Sequence, residues 1–294
     1  MGILIKSKKI KIPEELYRQE QIGVDMGATL TKLISPNDGQ LHCSLIETQN
    51  QQEIISHLKE NIGAHHYHIN FTGGKAFELY EQFSSLVSTQ LIDEFEANTG
   101  GIVALFELQK KKPLPKSIIV SLGTGTSIIL NKNNKMEHLG GSAMGGGMLM
   151  ALNAILDLSS EHASFMQSIH KANRLNVDLQ VKDIYSEHDE RVVGIFREFT
   201  ASTLGKINSA LEPQKLNSAD IGASINNAIG ENIGLISCLF AAQHSVDTIL
   251  YLGGFLHENT MLKRVLKTLC RMHQKKCIFL QNSEFAGALG AYLL

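Results

Sequence analysis

The feature that most constrains this chain is a unit of two apolar strands joined by a short turn of glycine and threonine, and the unit occurs twice. The first copy is QIGVDMGATLTKLI, residues 21–34, and the second is SIIVSLGTGTSIIL, residues 117–130. β-Branched runs on both sides of a glycine turn predict a pair of strands. Further strand-like and helix-like segments follow each copy. This pattern predicts an internal duplication, with two similar lobes and a cleft between them that suits a ligand.

Each turn has two interpretations, a hairpin that only reverses the chain or a loop that wraps a phosphate. A hairpin needs one or two glycines, whereas Gly123-Thr124-Gly125-Thr126-Ser127 interleaves glycine with three hydroxyl groups. In the first turn, Asp25–Thr29, the carboxylate suits hydrated Mg²⁺, and Lys32 can place a positive charge on a phosphate. Amides and hydroxyls that converge in one concavity bind anions. The occurrence of two such turns favours phosphate loops.

A glycine triplet, Gly145-Gly146-Gly147, runs directly into an apolar helix. Glycine starts helices less well than Ser or Asp, so the triplet indicates a special role. In one interpretation the helix N-terminus is unobstructed, and its free amides and dipole bind a polar or anionic ligand. In the other, the helix start packs closely against a neighbouring segment.

The segment LIDEFEANTGG supplies candidates for acid–base chemistry at the start of a helix predicted from about Asp93 to Gln109. Asp93 and Glu96 share one helical face, and Glu94 points away from Glu96. Only one face can look into a cleft, so spacing alone leaves the choice of general base open. An acidic helix start on the surface, with no catalytic role, is the alternative.

Composition narrows the class of protein. With 294 residues, of which 43% are hydrophobic, the chain can form a large core as either one large α/β domain or two lobes. A net charge of −2 without a long basic tract predicts no nucleic-acid partner, and no apolar run approaches the ~18 residues of a membrane span. The charged N-terminus is unlike a signal peptide. Four cysteines without metal-ligand spacing predict reduced thiols and a cytoplasmic location.

Taken together, GVDMGATLTK, VSLGTGTS, GGGM, YLGG and EFAGALGAYL resemble the type II pantothenate kinases, which belong to the superfamily of acetate and sugar kinases, actin and chaperone ATPases. The resemblance runs from about Ile22 to the C-terminus. It implies an α/β fold of two ribonuclease-H-like lobes (the actin-like ATPase fold) around an ATP cleft, with Mg²⁺ as cofactor and a homodimer joined largely through the second lobe.

The resemblance implies three segments. Residues 1–20 form an N-terminal extension, for which packing on the lobe and disorder are both open. Residues 21–115 form the N-terminal lobe with the first phosphate loop and the catalytic base. Residues 116–294 form the C-terminal lobe with the second phosphate loop, the adenosine site and the dimer surface.

Carried over by position, the resemblance also implies site residues. Glu94 matches the general base, and Asp25 lies near the magnesium. The ATP-binding residues it implies are Asp25, Met26, Gly27, Ala28, Thr29, Leu30, Thr31, Lys32, Thr124, Gly146, Gly147, Met148, Leu149, Met150, His162 and Gly254. Ser127 and His138 fall at the pantothenate site.

The implied activity is ATP-dependent phosphorylation of pantothenate at its primary hydroxyl, the first step toward coenzyme A. His138 departs from the family, which usually has an arginine at this position, and a histidine holds an acidic substrate less firmly. A kinase acting on pantetheine, a sugar or another alcohol is therefore the alternative within enzymes. A non-catalytic nucleotide-binding protein is the alternative outside them.

Overall fold

The computed structural model describes residues 4–62, 67–133, 135–156, 162–185, 197–207 and 216–294. These residues form a six-stranded sheet, a five-stranded sheet and a two-stranded ribbon. The strands of the first sheet are β1 (Leu4–Ile10), β2 (Gln21–Met26), β3 (Leu30–Asn37), β4 (Gln40–Glu47), β5 (His68–Thr72) and β6 (Ser88–Leu91). The strands of the second sheet are β7 (Ser117–Leu122), β8 (Thr126–Lys132), β9 (Lys135–Ser142), β12 (Thr248–Leu252) and β13 (Lys276–Phe279). The ribbon pairs β10 (Leu179–Gln180) with β11 (Thr200–Ser202).

The two large sheets share one topology. The first has the order β1-β4-β3-β2-β5-β6, and the second, read from its other edge, has the order β9-β8-β7-β12-β13. In each, three consecutive strands pair antiparallel, and two later strands add in parallel beside the first of the three. The predicted duplication is therefore confirmed, and so is the α/β fold with two similar lobes.

Helices lie on both faces of each sheet. They are α1 (Gln51–Ile62), α2 (Phe77–Ser84), α3 (Glu94–Lys110), α4 (Gly146–Leu156), α5 (His162–Lys171), α6 (Val181–Ile184), α7 (Ser218–Gln243), α8 (Thr260–Met272) and α9 (Ala286–Leu293). Helices α1 and α2 cover the outer face of the first sheet. Helices α4, α5, α7 and α8 cover the outer face of the second. Helices α3 and α9 share one apolar core with both sheets, so they join the two lobes.

Both ends of the described chain pack on the first lobe. Within the N-terminal extension, Leu4–Ile10 pairs antiparallel with β4 and widens the first sheet, so this stretch packs on the lobe. The last helix, α9, packs against α3 and β2 of the first lobe although it ends the chain. This return lets a residue near the C-terminus contact the first predicted phosphate loop. None of the helices among the described residues has the length and apolarity needed to cross a bilayer.

Candidate active site

The first glycine turn joins β2 to β3 and is held by backbone hydrogen bonds. Gly27 N–H donates to Leu30 O (3.2 Å), and Thr48 N–H donates to Thr29 O (2.9 Å). Thr48 Oγ1 also donates to Gly27 O at 2.9 Å. Ala28 and Thr29 at the tip are exposed. The turn is therefore fixed at its base and open at its tip, as a loop that meets a ligand must be.

An ion pair lies directly below this turn. Asp25 and Lys32 are opposite each other in the β2–β3 pair, and Lys32 Nζ lies 3.1 Å from Asp25 Oδ2. Asp25 is only 8% exposed. Two glycines lie close to its carboxylate oxygens. A Cβ on Gly73 would lie 2.8 Å from Asp25 Oδ1, and a Cβ on Gly287 would lie 2.8 Å from Asp25 Oδ2. This tight enclosure fixes where the carboxylate can lie.

The second turn, between β7 and β8, meets the first across the two lobes. The Thr29 and Thr124 hydroxyl oxygens lie 3.3 Å apart, within hydrogen-bond reach. Gly254, which follows β12, faces the same region, since a Cβ on it would lie 3.9 Å from Leu30 Cδ1. The structure thus brings together three segments that sequence reasoning assigned to the nucleotide.

The glycine triplet corrects one expectation. The first amides of α4 are not free, because Gly146 N–H donates to Gly123 O (2.8 Å) and Gly147 N–H donates to Thr124 O (2.9 Å). A Cβ on Gly145 would lie 2.6 Å from Thr124 O. The amides of Gly146 and Gly147 are therefore used in close packing, and the helix start supports the second turn through them; that Gly146 and Gly147 line the nucleotide stays a prediction.

The three acids at the start of α3 have different environments. Asp93 is the N-cap, and its side chain accepts a hydrogen bond from Glu96 N–H at 3.0 Å. The Glu94 carboxylate accepts a hydrogen bond from Gly74 N–H and lies within electrostatic range of Asp25 and Lys32. Glu96 is exposed. Glu94 therefore lies within electrostatic range of the Asp25–Lys32 pair, whereas Asp93 caps the helix.

The pKa of Glu94 is raised above the ordinary value of a glutamate. Desolvation is the main cause, followed by the negative charge of Asp25; Asp93 adds to the rise, while Lys32 and the Gly74 N–H oppose it. A carboxyl whose pKa moves toward neutrality accepts a proton more readily, which suits a general base. Since a base works only when deprotonated, activity that depends on Glu94 falls as pH drops through this raised pKa.

Asp93→Asn tests that electrostatic arrangement. Asparagine caps helices as well as aspartate does, so α3 should keep its start while one charge that raises the pKa of Glu94 disappears. We expect the acid limb of the kcat/KM–pH profile to move to lower pH. Glu96→Gln, which removes an exposed carboxylate from the same turn, is the matched control and should leave the limb in place. An acid limb that stays at the same pH or moves to higher pH in Asp93→Asn would contradict this assignment.

The two residues expected at the acceptor site lie on neighbouring strands. Ser127 on β8 pairs with Ser121 and Gly141. His138 on β9 is exposed and lies opposite Ile129, two residues along β8 from Ser127. Ile129 packs into the core shared by the two lobes. Because side chains two apart on a strand share a face, Ser127 and His138 lie on the sheet face turned toward the first lobe.

Several residues expected at the nucleotide have buried side chains. Leu149 is fully buried in the core of the second lobe, because α4 packs its apolar face on the sheet. Met26 and Thr31 are also buried, since alternate residues of β2 and β3 face inward. Met148 is 43% exposed and Met150 partly buried. His162 begins α5, and its side chain lies outside the described residues.

Sequence reasoning missed part of the site. Gly287, near the C-terminus, contacts Asp25, and Thr72 lies beside Asp25 in the parallel β2–β5 register. Gly74 reaches Glu94 through its amide. The signal for Gly287 is the small-residue run AGALGA, which indicates a helix that approaches another backbone closely. Thr72 gives no local signal, because only strand register brings it to Asp25.

Comparison with known proteins identifies the family. A model of the Fumble family matches residues 31–294. The chain is 32% identical to a type II pantothenate kinase of Bacillus cereus over 94% of this chain and 97% of the relative. It is 30% identical to a type II pantothenate kinase of Staphylococcus saprophyticus over 92% of this chain and 98% of the relative. The chain belongs to the type II pantothenate kinase family.

Solved structures support the fold of this type II pantothenate kinase family member. The activator of the 2-hydroxyisocaproyl-CoA dehydratase from Clostridium difficile, solved with bound ADPNP, superposes with a TM-score of 0.60. That match covers 93% of this chain and 92% of the activator at 15% identity. At such identity the likeness concerns the fold alone. It confirms the actin-like ATPase architecture implied by the resemblance.

Proposed function

We propose that this chain transfers the γ-phosphoryl group of ATP to the primary hydroxyl of pantothenate, the first step toward coenzyme A, with Glu94 as the general base. One observation carries the proposal: Glu94 lies within electrostatic range of the Asp25–Lys32 pair at the point where the turns of the two lobes meet. A phosphoryl transfer needs a base near the acceptor and positive charge near the phosphates, and these residues supply both.

The acceptor step uses Glu94. Its carboxylate takes the proton from the primary hydroxyl as that oxygen attacks the γ-phosphorus, and the bond between the γ-phosphorus and its bridging oxygen to ADP breaks. The raised pKa of Glu94 makes this transfer easier than it would be for a glutamate with an ordinary pKa. Ser127 and His138, on the sheet face turned toward the first lobe, hold the pantothenate end.

The nucleotide step uses both turns. The exposed tips of the two turns, with the Thr29 and Thr124 hydroxyls, face the phosphates, and Lys32 leaves Asp25 to contact them. Gly254 lies at the adenosine end. This assignment is consistent with the dehydratase activator of similar fold, which was solved with a bound ATP analogue, ADPNP.

Asp25 is the residue suited to hold Mg²⁺. It is a nearly buried carboxylate at a strand end, and glycines at positions 73 and 287 leave its oxygens clear of side chains. Magnesium binds through one or two carboxylates and keeps several waters, so this donor set fits. A bound Mg²⁺ would offset negative charge on the phosphates. Asp25 would hold the ion, and Lys32 would neutralise the remaining phosphate charge.

The position of the new phosphate tests the proposal directly. Pantothenate has a primary and a secondary hydroxyl, and proton–phosphorus correlation NMR distinguishes the two esters. We expect phosphorus coupled to the methylene protons of the primary alcohol. No phosphorylated product, or an ester on the secondary hydroxyl, would contradict the proposed function.

His138→Arg tests the substrate end. A bidentate, permanently charged arginine should hold the pantothenate carboxylate more tightly, lowering the KM for pantothenate by about 10-fold, the value of one charge-assisted hydrogen bond. His138→Lys is the matched control, because it adds charge without the planar fork. A KM that is unchanged or raised in His138→Arg would remove His138 from the substrate site.

The homodimer has a candidate surface on the second lobe. Helices α4 and α7 contact each other, and on them Ile155, Leu235 and Leu239 are 77%, 43% and 57% exposed. Apolar patches of this kind mark interaction sites, and we assign this one to a second copy of the chain. Light scattering should give about twice the chain mass, and a monomer mass would contradict the assignment.

The free cysteines fit a reducing cytoplasm.

A further inference from the structure

Thr72, the last residue of β5, is a buried polar residue that the proposed mechanism does not use. It is fully buried, and its Oγ1 has no hydrogen-bond partner among the described residues. A buried hydroxyl without a partner is costly, and such groups in folded proteins call for a functional or structural reason. The reason can be found in its immediate neighbour.

Strand register places Thr72 beside Asp25. The two residues are paired in the parallel β2–β5 ladder, so their side chains leave the sheet on the same face. That face is the one covered by α9: Asn70, two residues earlier on β5, donates from Nδ2 to Ala291 O at 2.7 Å, and Gly287 of α9 contacts the Asp25 carboxylate. Thr72 is therefore a hydroxyl donor next to the carboxylate assigned to Mg²⁺.

Asp25 has a limited choice of partners. Its Oδ2 is paired with Lys32 at 3.1 Å, and Gly73 and Gly287 lie against its two oxygens without a side chain that could donate to them. When Lys32 turns to the phosphates, Asp25 loses this donor while it stays nearly buried. A buried carboxylate needs hydrogen bonds to hold its charge and its orientation.

We propose that Thr72 is a positioning residue, whose hydroxyl donates a hydrogen bond to the Asp25 carboxylate once Lys32 has left it, and so fixes the carboxylate in the orientation that binds the metal ion. This inference rests on the proposed function, since it takes Asp25 as the metal-binding carboxylate and Lys32 as a phosphate ligand. Groups that orient metal ligands typically change metal affinity 10–100-fold when they are removed.

Thr72→Val tests the inference with Mn²⁺ as the probe. Manganese binding is measured by electron paramagnetic resonance, in the presence of a non-hydrolysable ATP analogue, on the full chain. We expect Thr72→Val to bind Mn²⁺ about 10-fold more weakly, and Thr72→Ser, which keeps the hydroxyl, to restore most of the affinity. The melting temperature should not fall, because valine replaces an unpaired hydroxyl with a methyl group of the same shape.

Thr99→Val is the matched control. The Thr99 hydroxyl on α3 is also buried without a hydrogen-bond partner among the described residues, but Thr99 lines a groove with Pro13 and Leu16 whose lining does not include Asp25. The Mn²⁺ affinity of the Thr99→Val variant should equal that of the wild type. Equal affinities in the wild type and Thr72→Val would overturn the inference, and so would a loss that Thr72→Ser does not restore. If Thr72→Val does not fold, Thr72→Ala gives the same comparison. A wild type that binds no Mn²⁺ with the nucleotide would instead contradict the proposed metal site.

Discussion

Replacing Glu94 with glutamine should lower kcat by about 100-fold or more, which is the usual contribution of general acid–base catalysis. Glutamine keeps the shape of the side chain and can accept the Gly74 N–H hydrogen bond, but it cannot take up a proton at neutral pH. The KM for ATP should change little, because the two turns that face the phosphates are intact. Single-turnover measurement of the chemical step is the appropriate test, since it excludes product release.

Glu96→Gln is the control for this experiment. Glu96 lies on the same helical turn as Glu94 and is exposed like it, but it points away from Glu94, and its backbone N–H is used by the Asp93 cap. We expect near-normal kcat in this variant. If Glu94→Gln also keeps near-normal turnover, Glu94 is not the base, and if Glu96→Gln loses as much activity as Glu94→Gln, the two acids have been assigned wrongly.

Replacing Gly101 with alanine should cause the largest loss of stability among the substitutions considered. A Cβ at Gly101 would lie 1.8 Å from Ala286 O, and one at Gly290 would lie 1.6 Å from Ala97 O. The obstacles are backbone atoms of α3 and α9, so neither helix can yield by a side-chain rotation. We expect the free energy of unfolding to fall by about 3 kcal/mol or more, the upper end for overpacking, as measured by urea unfolding.

The neighbouring glycine provides the opposite outcome. A Cβ at Gly100 would lie 3.9 Å from Gly290 Cα, an ordinary contact. Gly100→Ala should therefore raise the free energy of unfolding, by up to about 1 kcal/mol, because alanine is the better helix former. Equal effects at the two positions would show that α3 and α9 are not packed as closely as described. Because α3 begins at Glu94 and α9 begins beside Asp25, Gly101→Ala should also reduce kcat.

Local sequence patterns predict the strands and helices that form through interactions between residues close together in the chain. The two strand–turn–strand units follow from hydrophobic periodicity and glycine positions, and so does α3, predicted to start at about Asp93 and found to start at Glu94. Strands β1 and β6 do not, because one lies in a lysine-rich segment and the other is a short, mostly exposed edge strand. Edge strands form through pairing with a neighbour, which local sequence does not specify.

The site was harder to predict where distant segments meet. Spacing alone left Asp93, Glu94 and Glu96 as equal candidates, and family resemblance pointed to Glu94; the structure adds that Asp93 caps the helix and that Glu94 lies near Asp25. The glycine triplet was compatible with both a ligand site and close packing, and the structure shows that the amides of Gly146 and Gly147 bond to carbonyls of the second turn. The paired mid-helix glycines Gly100 and Gly101 could have indicated a close helix contact.

We propose that the cleft between the lobes phosphorylates pantothenate with ATP. The most direct test is kcat/KM for pantothenate, pantetheine and glucose with the wild-type protein, with ADP release coupled to NADH oxidation. We expect the highest kcat/KM for pantothenate. Turnover of glucose without turnover of pantothenate would contradict it.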